Sequence, residues 1–139
     1  MHWRISATSI EGASHINNGL PCQDASGAFR ISTARGQFII LIASDGCGSS
    51  IYSQIGSKLI VTEVSGCLDF WIRRSSGTLL LNEALLYSLG HAHQMLHRIS
   101  KDRSIPVREF ASTCLCLVMG PSSFAAAQLG DGVIVRRNN

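Results

Sequence analysis

Charge is scarce in this sequence. Only 15% of its 139 residues are Asp, Glu, Lys or Arg, and the net charge is +3. The basic residues form no block, since Arg73-Arg74 and Arg136-Arg137 are isolated pairs. A nucleic-acid footprint needs clustered Lys and Arg, so charge gives no reason to expect nucleic acid as a partner. Long apolar runs are missing too. None reaches the ~18 residues that span a bilayer. The opening "MHWRISATSI" lacks the charged-then-apolar order of a secretory leader. The expected location is the cytoplasm, with no membrane partner.

The five cysteines include no CxxC pair. An odd, unpatterned set reads as reduced, mostly buried thiols. Cys114 and Cys116 would point the same way on a strand and would not readily bridge. Cys47 stands in a Gly-rich turn, but no His lies near it in sequence, so packing is preferred over a nucleophilic role. No GxSxG elbow, Walker A loop or Rossmann fingerprint occurs. "DGCGSSIYSQIG" at a helix start is only a weak phosphate-binding signal, because the P-loop Lys is lacking. Repeats, low-complexity segments and linkers are absent as well. The length suits one domain, and 45% hydrophobic content is enough for a core.

The patterning predicts strands, then two helices, then strands. "WRISATSIEG" (3–12) alternates loosely and reads as a strand. "GLPCQDASGAFRIS" (19–32) starts as a turn and becomes extended. "QFIILIAS" (37–44) is a continuous apolar run of strand length, bounded by Gly36 and Asp45-Gly46. Beyond that turn, Ile51, Ile55, Leu59, Val64, Leu68 and Trp71 recur at helical spacing, predicting a helix from about Ser50 to Arg73. Ser49 or Ser50 would cap it. A second helix is expected from about Leu79 to Lys101, with Leu81, Leu85, Leu89, Ala92, Leu96 and Ile99 on its apolar face. "ASTCLCLVMG" (111–120) and "SSFAAAQLGDG" (122–132) flank a Gly-Pro turn and read as a hairpin. "VIVRR" (133–137) would start another strand. Segregated elements of this kind argue for α+β with antiparallel sheets.

Three of the nine acids stand apart from the helices and element edges: Asp24, Asp45 and Asp131. Asp45 and Asp131 sit beside glycine, in "SDGCG" and "LGDG". A carboxylate at a strand end followed by glycine offers rigid oxygen donors, as Mg²⁺ or Mn²⁺ require. Asp-Gly is equally a plain turn dipeptide, and spacing alone leaves both readings open. Among the histidines, His93 and His97 are i, i+4 without a third ligand, and they read as a solvated helix face. His15 lies in a polar, Gly-bounded loop just before Asp24 and is a candidate to face a site.

Taken in order, the motifs "GASHINNGLPCQDA" (12–25), "LIASDGCGSSIYSQIGSKLIVTEV" (41–64), "FASTCLCLVM" (110–119) and "AAQLGDGVIVRR" (126–137) resemble the bacterial branch of the metal-dependent protein phosphatase 2C (PPM) family. Each motif alone is unspecific, but four in sequence are specific. The resemblance implies an antiparallel β-sandwich flanked by helices (α/β/β/α) with a two-metal site at one end. Asp45 would bridge two Mg²⁺ or Mn²⁺ ions, and the Gly46 carbonyl would bind one. Asp24 would stand in the surrounding shell, and Asp131 near a further, weaker metal position. Gln23 occupies a place where many relatives have Glu. His15 lies roughly where relatives put a phosphate-binding Arg. The implied reaction is in-line hydrolysis of phosphoserine or phosphothreonine by a metal-activated water, without a covalent enzyme intermediate.

The family places two further Asp ligands beyond the Gly-Asp-Gly strand, whereas this chain ends seven residues past Gly132. Residues 1–139 are therefore read as the N-terminal portion of one phosphatase domain, incomplete at the C-terminus. As it stands, it is expected to be weakly active or inactive. The alternative is a catalytically degenerate phosphatase fold acting as a binding or regulatory module. The expected partners are a phosphoprotein substrate and, at the unpaired edge after Asp131, a C-terminal complementing segment or a second copy.

Overall fold

A computed structural model describes residues 3–17, 19, 21–75, 80–135 and 137, with only the backbone for Ser14 and His15. The elements run α1 (Ala13–Asn17), β1 (Ala25–Thr33), β2 (Gly36–Ser44), α2 (Ser53–Arg74), α3 (Leu81–Arg103), a 3₁₀ turn (Val107–Phe110), β3 (Cys114–Met119) and β4 (Phe124–Leu129). The four strands form one antiparallel sheet in the order β1-β2-β3-β4. This is the expected α+β class. Among the described residues there is one sheet with one helical layer.

The core lies between the sheet and the helix pair. β2 and β3 send alternate residues toward it, namely Ile40 and Ile42 from β2 and Cys114, Cys116 and Val118 from β3. α2 meets them with Ile60, Val61, Val64, Leu68 and Ile72, spaced at one helical face. α3 adds Leu81, Ala84, Leu85 and Ala92 behind α2. On the other sheet face Leu41, Leu115, Leu117 and Met119 remain partly exposed. No helix among the described residues is long and apolar enough to cross a membrane.

Three local expectations are corrected. Residues 3–12 form no strand. This segment is mostly exposed, Ile10 by 76%, so it has no apolar face to bury against a sheet. Side chains hold it instead: Arg30 donates to the Trp3 carbonyl, and the Cys22 N–H donates to Glu11 Oε1 at 3.0 Å. Residues 133–135 likewise form no strand and have no neighbour to pair with among the described residues; Arg136 lies outside them. Finally, α2 begins after Tyr52 without a side-chain cap. The Ser50 hydroxyl donates to the Arg108 carbonyl at 3.0 Å, and the Tyr52 N–H donates to the Glu109 carbonyl at 2.9 Å. The 3₁₀ turn thus anchors the approach to α2 in place of a serine cap.

Candidate functional site

The sheet register brings two of the three singled-out acids together. Ala25 of β1 pairs with Ser44 of β2, the last pair of that ladder. Asp24 immediately precedes the first, and Asp45 immediately follows the second. Antiparallel pairing therefore delivers both carboxylates to one end of the sheet. β3 starts and β4 stops at this same end, where Cys114 pairs with Leu129. The chain then turns through Gly130 and Gly132, at φ +83° and +120°. Side chains rarely adopt such angles, and a Cβ on Gly132 would lie 2.4 Å from Leu115 Cδ1. Only glycine lets the turn fold this closely onto β3. Asp24, Asp45 and Asp131 consequently line one cavity, together with Thr8, Ile10 and Thr113.

The backbone of Asp45 is tightly held. Its N–H donates to Thr113 Oγ1 at 2.9 Å, and its carbonyl accepts the Thr113 N–H at 2.8 Å. The Cys47 N–H donates to the Ala111 carbonyl at 2.9 Å, and Gly46 bridges to Ser112. Pairing thus continues past the end of β2 and fixes the residue carrying the carboxylate. The Ser44 hydroxyl adds a bond to the Thr113 carbonyl at 2.6 Å. Gly46 is packed so closely that a Cβ would lie 2.5 Å from the Gln23 carbonyl oxygen and 3.0 Å from Ser53 Cβ. An adjoining cavity is lined by Gln23, Asp24, Asp45, Gly46 and Gly48.

Electrostatics mark the cluster. Partial burial, a side-chain hydrogen bond with Asp24 and the charges of Asp24 and Asp131 all push the Asp45 carboxyl above the ordinary carboxylate range. Three acids facing one cavity repel one another, no cationic side chain lining it among the described residues, and a divalent cation would relieve that repulsion. The donor set is carboxylate and carbonyl oxygen, which fits Mg²⁺ or Mn²⁺. Among the described residues, however, no three or more His, Cys, Asp or Glu side chains converge as a complete ligand group. The donors fit such an ion in kind but do not supply a closed shell.

The other candidates fall as follows. Gln23 is 8% exposed and packs beside the Gly46 turn. His15 belongs to α1, while its side chain lies outside the described residues. Sequence reasoning missed Thr113 and Ser57. The Ser57 hydroxyl, on α2, donates to the Gln23 carbonyl at 2.5 Å. Neither residue stands in a motif that spacing would single out, so only the fold reveals them.

The structure is thus an antiparallel α+β domain with three acids on one cavity at the sheet end. A family profile described as protein phosphatase 2C matches residues 11–139. The chain is 32% identical over 138 residues to Serine/threonine-protein phosphatase 3 of Escherichia coli (strain K12). That match covers 97% of this chain and 53% of the relative, so the chain spans about half of the relative's length. The chain belongs to the protein phosphatase 2C family. No solved structure matches significantly.

Proposed function

We propose that this chain is the N-terminal portion of a protein serine/threonine phosphatase domain and carries the central part of its metal site. The observation supporting this reading is the convergence of Asp24, Asp45 and Asp131 on one cavity. Asp45 and the Gly46 carbonyl would hold Mg²⁺ or Mn²⁺, with Asp24 and Asp131 beside them. The bound ions would supply an activated water and neutralise phosphate oxygens during in-line hydrolysis. The chain's own part is positional. The Thr113 bonds keep the Asp45 carboxylate at the sheet end, beside Asp24. His15 would meet the substrate phosphate. The substrate would be a phosphoprotein, in a signalling setting in the cytoplasm.

The incomplete ligand group favours weak turnover or none by these residues alone. The partly exposed sheet face bearing Leu41, Leu115, Leu117 and Met119 suits a C-terminal complementing segment or a second copy as cover. The same lack of ligands, with Gln23 buried beside the turn, supports a second reading: a degenerate phosphatase fold that binds without catalysing.

The test is p-nitrophenyl phosphate hydrolysis by the folded chain with and without Mn²⁺, beside Asp45→Ala, with melting temperatures taken in parallel. Little or no turnover, with a Mn²⁺-induced rise in melting temperature that Asp45→Ala abolishes, is the expected result. Turnover needing both Mn²⁺ and Asp45 would show that the residues present suffice. No Mn²⁺ effect on either property would favour the degenerate reading.

A further inference from the structure

On the exposed side of α3, His93 and His97 stand one turn apart, with their Nε2 atoms 3.2 Å from each other. Side chains at i, i+4 share a helix face, but sharing a face does not require the ring nitrogens to meet. Here the ring centroids are 4.5 Å apart and the planes cross at 80°. The two Nε2 atoms are therefore nearer to each other than the rings are, and both point into the gap between them. As it stands, the contact is an N–H···N hydrogen bond whose donor is set by the tautomers.

The same separation suits a shared cation. With metal–nitrogen bonds of ~2.0–2.1 Å, two cis ligands lie ~2.9 Å apart at a right angle and ~3.4 Å apart at the tetrahedral angle. The observed 3.2 Å falls between these limits. We propose that His93 and His97 form a two-histidine chelate for an imidazole-preferring divalent ion: Ni²⁺, Cu²⁺ or Zn²⁺. The ring that donates the present hydrogen bond moves its proton to Nδ1, and both Nε2 lone pairs are then available with no net proton release.

The surroundings decide which ions qualify. The neighbouring positions on this stripe are Leu89, Gly90, Ser100 and Lys101, so no carboxylate is at hand. Among the described residues no third His, Cys, Asp or Glu joins the pair. Water completes the coordination. A site of two neutral nitrogens has no hold on Mg²⁺, which demands oxygen, and favours ions late in the first transition row. The acidic cavity at the sheet end differs in offering the oxygen donors that Mg²⁺ needs, so Mg²⁺ in excess would occupy that cavity alone. A chelate across one turn also clamps α3, and an ion that binds only the folded helix stabilises it by mass action.

The experiment uses the whole chain, with Ni²⁺ titrated by calorimetry and the imidazole resonances followed by NMR on adding Zn²⁺. With Mg²⁺ in excess to hold the acidic cavity, one Ni²⁺ per chain is expected, and Zn²⁺ should shift the His93 and His97 rings together. His97→Ala should weaken Ni²⁺ binding about tenfold or more, since the second ligand of a chelate acts at high effective concentration. His97→Ala combined with Arg98→His keeps the histidine count but breaks the spacing, and should weaken it as much. His91→Ala, outside the pair, should bind Ni²⁺ like the wild type. Both histidines are exposed, and circular dichroism verifies that each variant keeps its helices. Unchanged binding in either histidine variant would put the ion elsewhere, for example on the exposed Cys47 thiol, and would overturn the proposal. So would a Zn²⁺ titration that leaves both rings unmoved, or loss of Ni²⁺ binding in His91→Ala.

Discussion

The hydroxyl of Ser57 donates to the backbone carbonyl of Gln23, tying the second turn of α2 to the residue just before Asp24. Ser57 is fully buried and Gln23 nearly so. Ser57→Ala would strand a buried carbonyl and should cost about 1–3 kcal/mol. Urea unfolding measures the loss. A weaker Mn²⁺-induced rise in melting temperature would accompany it, because Asp24 loses its anchor.

Gly56 is a second point of close approach. A Cβ there would lie 1.9 Å from the Phe110 carbonyl oxygen and 2.8 Å from its carbon. The obstacle is backbone and cannot rotate away. Gly56→Ala should therefore destabilise by about 3 kcal/mol, the upper end for an overpacked site, although alanine is the better helix former. Gly66 lies on the same helix with nothing within 4 Å of a built Cβ. Gly66→Ala should instead leave stability unchanged or raise it slightly, and thermal melts of the pair make the comparison.

Asp45 sets a pH dependence. Its carboxyl is raised in the folded chain, first by burial and then by Asp24 and Asp131, from an ordinary value of 3.8. A raised acid favours the folded state while protonated. Its contribution is complete below the ordinary value and is lost as pH climbs through the raised one. Metal-free protein should thus lose some stability as pH rises from about 4. Asp45→Asn should flatten that slope. Thermal scans in EDTA across this range provide the check.

The thiols should react in a fixed order. Cys47 is exposed, and hydrogen bonds from the Ser49 side chain, the Ser49 backbone and the Ser50 side chain lower its value. Burial pushes Cys114 up to about 11. Burial, with Cys114 alongside, pushes Cys116 up to about 12. Only the thiolate attacks a disulfide reagent. In native protein at mildly alkaline pH, Cys47 should label first, while Cys114 and Cys116 should label only on unfolding. Timed labelling with peptide mapping tests the order.

The helices were legible because burial imposes a period. Leu81, Leu85 and Ala92 lie where the spacing puts them, and α2 buries Val64 and Leu68 as expected. β2 was legible because a run apolar on consecutive residues suits a strand flanked by neighbours. The start of α2 was misread because Ser50 is drawn to the Arg108 carbonyl, more than fifty residues away along the chain. Residues 3–12 misled because loose alternation looks the same whether or not a sheet is there to receive it. The acids could be picked out by their glycine neighbours, but that they meet follows only from register. A one-residue slip between β1 and β2 would turn their side chains to opposite faces.

The order in which the sheet can assemble follows from its connections. β1 and β2 are joined through Ala34 and Arg35, and β3 and β4 by a similarly short turn, so each hairpin closes locally. The ladder between Ile42 and Cys116 instead spans the whole α2–α3 segment. Hairpins form in roughly microseconds, whereas pairings distant in sequence must first bear the entropy of closing a long loop. Nascent chains should therefore hold two separate ribbons and a helical pair before the central seam zips. Until then, the loop bearing Asp45 lacks Thr113, and the acid cluster is among the last features to appear.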